Sequence, residues 1–82
     1  MSREDFMFSK NIFSERIKQL RVGMNVTQNA LAEHLGITRT QVSDIENGKT
    51  TTSIERLCVL SDYFGVSADY LLGLSENPEV NK

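Results

Sequence analysis

Apolar residues recur along this chain at intervals of three and four, and each run closes on a glycine. Phe13, Ile17 and Leu20 lie on one face of a helix predicted over about residues 10–22, with Lys10, Arg16 and Lys18 elsewhere on its surface. Ser9 is placed to cap its start, and Gly23 ends it. Leu31, Ala32 and Leu35 share a face of a second helix, over about residues 28–35, with Thr27 as N-cap and Gly36 immediately after it. Thr38 opens a third over about residues 39–47; Gln41 stands three residues on, at capping-box spacing, Val42 and Ile45 turn inward, and Gly48 closes it. Thr52 and Glu55 repeat the capping-box spacing before a fourth helix that carries Ile54, Leu57, Cys58, Leu60, Ser61 and Phe64 and stops at Gly65. A fifth, short helix runs over about residues 68–72, with Ser67 as N-cap. No stretch of six residues alternates as a strand would. The pattern predicts an all-α, compact bundle of five short helices.

The second and third helices are joined by a tight turn, and Ala32 is small where two steeply crossing helices would have to approach closely. This is the spacing of a helix-turn-helix, the unit that lays its second helix into the DNA major groove. The reading divides the chain into an N-terminal extension (residues 1–8), a helix-turn-helix domain (9–74) and a polar tail (75–82). The tail carries the only proline and is expected to fray. Phe6, Met7 and Phe8 are expected to cover the end of the bundle, with Phe8 stapled to Phe13; the other use for them is a partner surface.

With 82 residues, 39% of them apolar, there is material for one small folded domain. No apolar run approaches the ~18 residues that cross a bilayer, and the start, MSREDFMFSK, lacks the apolar core of a signal peptide. One cysteine and one histidine, without CxxC or HxxxH spacing, point away from a zinc site, and no cofactor or small-molecule substrate is expected. Cys58 is expected to be a small buried hydrophobe and His34 an exposed residue. A reducing cytoplasm is the compartment this suggests. Ser43, His34 and Asp44 set no nucleophile–base–orienter geometry, so no enzyme is expected.

The formal net charge of −2 runs against a nucleic-acid partner, since most such proteins are basic. Position matters more than the sum. Glu4, Asp5, Glu76 and Glu79 lie in the terminal segments, whereas Lys10, Arg16, Lys18 and Arg21 lie on the first helix and Arg39 and Lys49 flank the third.

The segment LRVGMNVTQNALAEHLGITRTQVSDIENGK, followed by IERLCVLSDYFGVSADYLLG, resembles the lambda-repressor/Cro-like family, also called the XRE type. The similarity covers roughly residues 12–73. It implies a five-helix domain that binds operator DNA as a symmetric dimer. By position it implies that Arg39, Thr40 and Asp44 read bases. Gln41 and Ser43 match positions that touch bases or phosphates. Thr27, Gln28, Asn47 and Lys49 match positions that hold the DNA backbone, and Arg21 and Glu46 match a buried ion pair. Two departures stand out: Thr52 replaces a common proline, and the run Thr50, Thr51, Thr52 lacks the cations that many members carry there.

The chemistry of these side chains suits the task. Arg39 can bond guanine O6 and N7 together, and Thr40 offers a methyl to thymine and a hydroxyl to any base. Gln41 either reads adenine or is held by its cap. Asp44 either accepts from a cytosine amino group or holds Arg39 in place. The first-turn amides of the second helix point out for a phosphate, with the Gln28 side chain as a further donor, and Lys49 with the main chain of Asn47 and Gly48 could take the next. With about two or three cations per protomer, a dimer would neutralise about five phosphates. Log affinity should then fall with log salt at a slope of about −4 to −5. Tyr70, Leu71, Leu72 and Leu74 exceed what a five-residue helix can bury alone, so a second subunit is expected against them. The rival to a DNA-binding homodimer is a protein-interaction module of the same fold, an antitoxin or adaptor, that holds another protein.

Overall fold

The computed structural model describes residues 9–80. It has five helices: α1 (Lys10–Gly23), α2 (Gln28–Leu35), α3 (Arg39–Glu46), α4 (Ile54–Phe64) and α5 (Ala68–Leu72). There are no strands among the described residues. The staple expected of Phe8 with Phe13, and the cover expected of Phe6, Met7 and Phe8, lie outside the described residues.

Each helix starts in the same way. An extended Ser or Thr places its hydroxyl oxygen on an otherwise orphaned amide of the first turn: Ser9, Thr27, Thr38, Ser53 and Ser67. At α4 the cap is Ser53 and not Thr52, accepting from the Arg56 amide at 3.2 Å. Residues 50–52 are all used to carry the chain from α3 to α4, so helical geometry begins one residue later than the Thr52–Glu55 spacing suggests.

The helix ends are equally uniform. After each, an amide reaches back five residues to a carbonyl of the last turn, as from Ile37 to Ala32 and from Val66 to Ser61. This closure needs a left-handed residue, which is glycine after α2 to α5. After α1 it is Asn25, with φ 57°, while Gly23 is still helical. Asparagine tolerates that region better than most residues. At Gly73 there is a second constraint: a Cβ there would lie 3.0 Å from Ile12 Cγ2, so the end of α5 closes directly on α1.

The core is a single cluster to which every helix contributes, including Phe13, Ile17, Leu31, Val42, Leu60 and Leu71. Two expectations are corrected here. Leu71 is fully buried at 0% exposure, so it serves the core and is closed to a second subunit. Cys58 is exposed, because α4 buries only Leu60 and Phe64 fully and turns residues 54, 55, 58, 59 and 62 to water.

The tail also departs from expectation. Arg16 is half-buried, with its guanidinium 4.0 Å above the Tyr70 ring; it donates to the carbonyls of Tyr70 and, at 2.8 Å, Ser75. It thereby satisfies main-chain acceptors at the end of α5. The chain then returns along α5, and the Ser67 amide donates to the Pro78 carbonyl at 2.8 Å. The tail is therefore bonded back onto the bundle through Leu74, Ser75, Asn77 and Pro78, where the sequence suggested a free end. No helix among the described residues is long and apolar enough to cross a membrane.

Candidate nucleic-acid interface

The interface is built on α3, and α3 is fixed at both ends. At its start the Thr38 hydroxyl accepts from the Gln41 amide at 3.1 Å, while the Gln41 side-chain oxygen accepts from the Thr38 amide at 2.8 Å. This reciprocal box sets the first turn. Gly36, with φ 70°, turns the chain out of α2, and Ala32, buried at 4% exposure, lets the two helices cross closely. Val42 and Ile45 anchor the inner side of α3.

The opposite side faces solvent. Arg39, Thr40, Gln41 and Asn47 are exposed, and Ser43 and Asp44 are half-buried. Arg39 and Thr40 stand at the start of the helix, with none of the described residues covering them. Asp44 and Arg39 form no ion pair among the described residues, which leaves the half-buried Asp44 carboxylate as an unpaired acceptor. Gln41 keeps its amide hydrogens for a base or phosphate, since only its oxygen is held by the cap. Asn47 donates to the Ser43 hydroxyl at 3.3 Å, tying the two polar groups at the far end.

Backbone-holding groups are distributed differently from the sequence reading. The Thr27 hydroxyl is engaged by the Ala30 amide at 3.0 Å, leaving the first-turn amides of Gln28 and Asn29 open. The Gln28 side chain points inward and donates to Glu46 Oε1 at 3.1 Å. The amides of Asn47, Gly48 and Lys49 all close the end of α3, so the Lys49 side chain, not the main chain, is what remains for a phosphate there.

Behind this surface lies a buried charge cluster. Arg21 Nε lies 2.5 Å from Glu46 Oε2 and Arg21 Nη2 3.0 Å from Oε1, in a two-pronged pairing. Arg21 Nη1 donates to the Val26 carbonyl at 2.8 Å. The side chains are 13% and 2% exposed. The hydrogen bonds that Arg21 donates to Glu46 hold its pKa above the ordinary value, against the pull of burial, and the opposite charge adds to the rise. The cluster joins the end of α1, the following turn, the start of α2 and the end of α3. It fixes the two helices of the motif relative to one another.

One residue near this surface went unnoticed in the sequence. Arg56 of α4 is half-buried and donates from Nε to the Leu35 carbonyl at the end of α2, at 3.3 Å. No spacing signals it, because its partner is a main-chain group 21 residues away.

A tight turn, a capped second helix with a polar outer row, and open amides at the start of the first are the parts of one motif. A model of the helix-turn-helix family matches residues 17–71. The chain belongs to the lambda-repressor/Cro-like helix-turn-helix family. Among its relatives, this helix-turn-helix chain is 44% identical over 64 residues to the HTH-type transcriptional activator BcrR of Enterococcus faecalis, covering 78% of this chain and 31% of that protein. It is 39% identical over 61 residues to a prophage-derived HTH-type transcriptional regulator, YonR, of Bacillus subtilis, covering 74% of this chain and 56% of the relative. The chain thus spans only part of these relatives. Among solved structures, it superposes on the P22 c2 repressor in complex with a synthetic operator, with a TM-score of 0.73 and 31% identity, over 78% of this chain and 97% of that one.

Proposed function

We propose that this helix-turn-helix chain is a sequence-specific DNA-binding transcriptional regulator that acts in the cytoplasm without ligand or cofactor. In this reading it binds a two-fold operator as a homodimer, with α3 in the major groove. The observation that carries it is the outward row of Arg39, Thr40, Gln41 and Asp44 on a helix whose other side is locked into the core. The similarity to a repressor solved on its operator supports the same partner. Arg39 and Thr40 read base edges, and Gln41 and Asp44 extend the readout. Ser43, Asn47, Lys49 and the open α2 amides of Gln28 and Asn29, beside the Thr27 cap, hold phosphates. Gln28 contributes by steadying Glu46. Covering a promoter from polymerase needs no surface beyond this face, which makes repression the simplest outcome of binding.

The dimer surface follows from what the fold leaves uncovered. Leu72 lines an apolar cleft of about 230 Å³ together with Phe13 and Leu57, and Ile54 stands at its rim. Ile54 is 79% exposed, an unusual position for an isoleucine. A projection beside a hollow on one surface is self-complementary under a two-fold axis, each Ile54 entering the partner's cleft. Leu74, half exposed, is a further apolar side chain open to a second subunit, whereas Arg16 covers the ring of Tyr70.

Selection of bound duplexes from a random pool tests the reading. It should return a two-fold site whose half-site centres are about 34–36 Å apart. Arg39→Ala should then lose about 1–3 kcal/mol per half-site, with selectivity relaxed at one base pair. A uniform loss over all sequences would make Arg39 a phosphate contact. A pool that enriches nothing, with no retardation at low salt and a protein partner that co-purifies, would select the interaction-module reading, which the net charge of −2 favours.

A further inference from the structure

The geometry points to Arg56 as the phosphate-binding cation of the α3–α4 segment, in a cleft between the recognition helix and the start of α4. The inference rests on the DNA-binding reading above and extends its footprint. The cleft has a volume of about 400 Å³, ample for a phosphate and its waters, with Gln41 and Asp44 of α3 on one wall and residues 50–53 and Arg56 on the other. It therefore opens beside the outward row that would enter the groove, where the flanking strand must pass.

Three observations single out Arg56. First, the segment linking α3 to α4 carries no cation after Lys49: Thr50, Thr51, Thr52 and Ser53 supply hydroxyl donors but no charge. Second, the Arg56 guanidinium is anchored at one edge only, through Nε to the Leu35 carbonyl. Third, both Nη groups lack a partner among the described residues, and no buried side-chain nitrogen or oxygen among those residues is left unsatisfied. The Nη groups therefore reach solvent, and Arg56 is one of the residues that line the cleft. An arginine held by Nε with both Nη groups presented is preorganised for two parallel bonds to phosphate oxygens. Asp44, on the opposite wall, forms no ion pair with it. The guanidinium is thus not neutralised by the carboxylate across the cleft and is left to take the DNA backbone.

The test is the salt dependence of binding to a selected operator duplex, followed by fluorescence anisotropy. Two added phosphate contacts per dimer raise the expected slope of log affinity against log salt from about −4.5 to about −6. Arg56→Gln should return it to about −4.5 with the base preference unchanged, and Arg56→Lys should keep the steeper value. If Arg56→Gln melts like the native protein and its slope is unchanged, the residue is only a tie between α4 and α2, and the inference is overturned. Should Arg56→Gln fail to fold, guanidinium NMR of the wild-type protein decides. The Arg56 Nη protons should shift and slow in exchange on adding duplex, and no change counts against the assignment. A wild-type protein that binds no duplex at any salt removes both this inference and the proposed function, whereas a wild-type slope of about −4.5 removes this one alone.

Discussion

Glu46 touches no nucleotide in the proposed complex, yet the interface depends on it. Its carboxylate takes two bonds from Arg21 and one from Gln28 while 2% exposed. Removing it leaves the Arg21 guanidinium inside with no counter-charge, a loss of about 3–5 kcal/mol. For a chain of this size the total stability is roughly 4–12 kcal/mol, so Glu46→Ala should melt far below the wild type or fail to fold. The sign of the pH dependence follows from Arg21. Its pKa is raised in the fold, so its contribution is complete below the ordinary arginine value and is lost only as pH rises through the still higher folded one. The gap between wild type and Glu46→Ala, measured by urea denaturation, should therefore be the same at about pH 7 and about pH 9. An exposed pair would show almost no gap at either. The pairing lies 25 residues apart in the chain and was legible only through the family resemblance. Gln28 as its third member was not, because a glutamine opening a helix looks the same whether it faces a phosphate or a buried carboxylate.

At the scale of elements, what the sequence makes legible is local chemistry. Hydroxyl caps and left-handed closures act within four or five residues, so the bounds of α2 and α5 agree to the residue with the spacing of Thr27, Gly36, Ser67 and Gly73. The misreadings arose where two local solutions compete or where distant packing decides. Ser53 and Thr52 could each cap α4, and Asn25 could close α1 as well as Gly23. The exposure of Cys58 and the inward turn of Leu71 depend on which stripe of a helix meets its neighbours, which spacing alone leaves ambiguous. The most consequential element is α3, only 8 residues long and too short to hold itself. Its reciprocal cap stabilises it where Arg39 and Thr40 project. Thr38→Ala removes the hydroxyl half of that box and should cost about 1 kcal/mol, read as a Tm lower by about 4–8 °C. An unchanged Tm would mean that packing of Val42 and Ile45 alone sets the helix start.

For the whole molecule the governing quantity is the number of half-sites held at once. A single α3 presents about four side chains to base edges, too few to select one site among the many that compete in a genome. Two copies on a rigid two-fold axis fix both the spacing and the selectivity, so the surface that joins them is as functional as the one that reads DNA. The cleft lined by Phe13, Leu57 and Leu72, with Ile54 at its rim, is where that joining is proposed. Burying one isoleucine is worth about 1.5–3 kcal/mol, and symmetry doubles it, giving about 3–6 kcal/mol, or roughly two to four decades in the dimerisation constant. Ile54→Asp tests this cleanly, because a side chain already 79% exposed contributes little to the core, and the variant should melt like the wild type. Sedimentation should find it monomeric at concentrations where the wild type is a dimer. Operator affinity should drop while binding to an isolated half-site stays the same. Were Ile54→Asp still to sediment as a dimer, the two-fold contact would have to lie elsewhere. The exposed apolar pair Val22 and Met24, at the end of α1, is another place such a contact could form. An interface there would change the separation of the two α3 helices and so the half-site spacing recovered from the random pool.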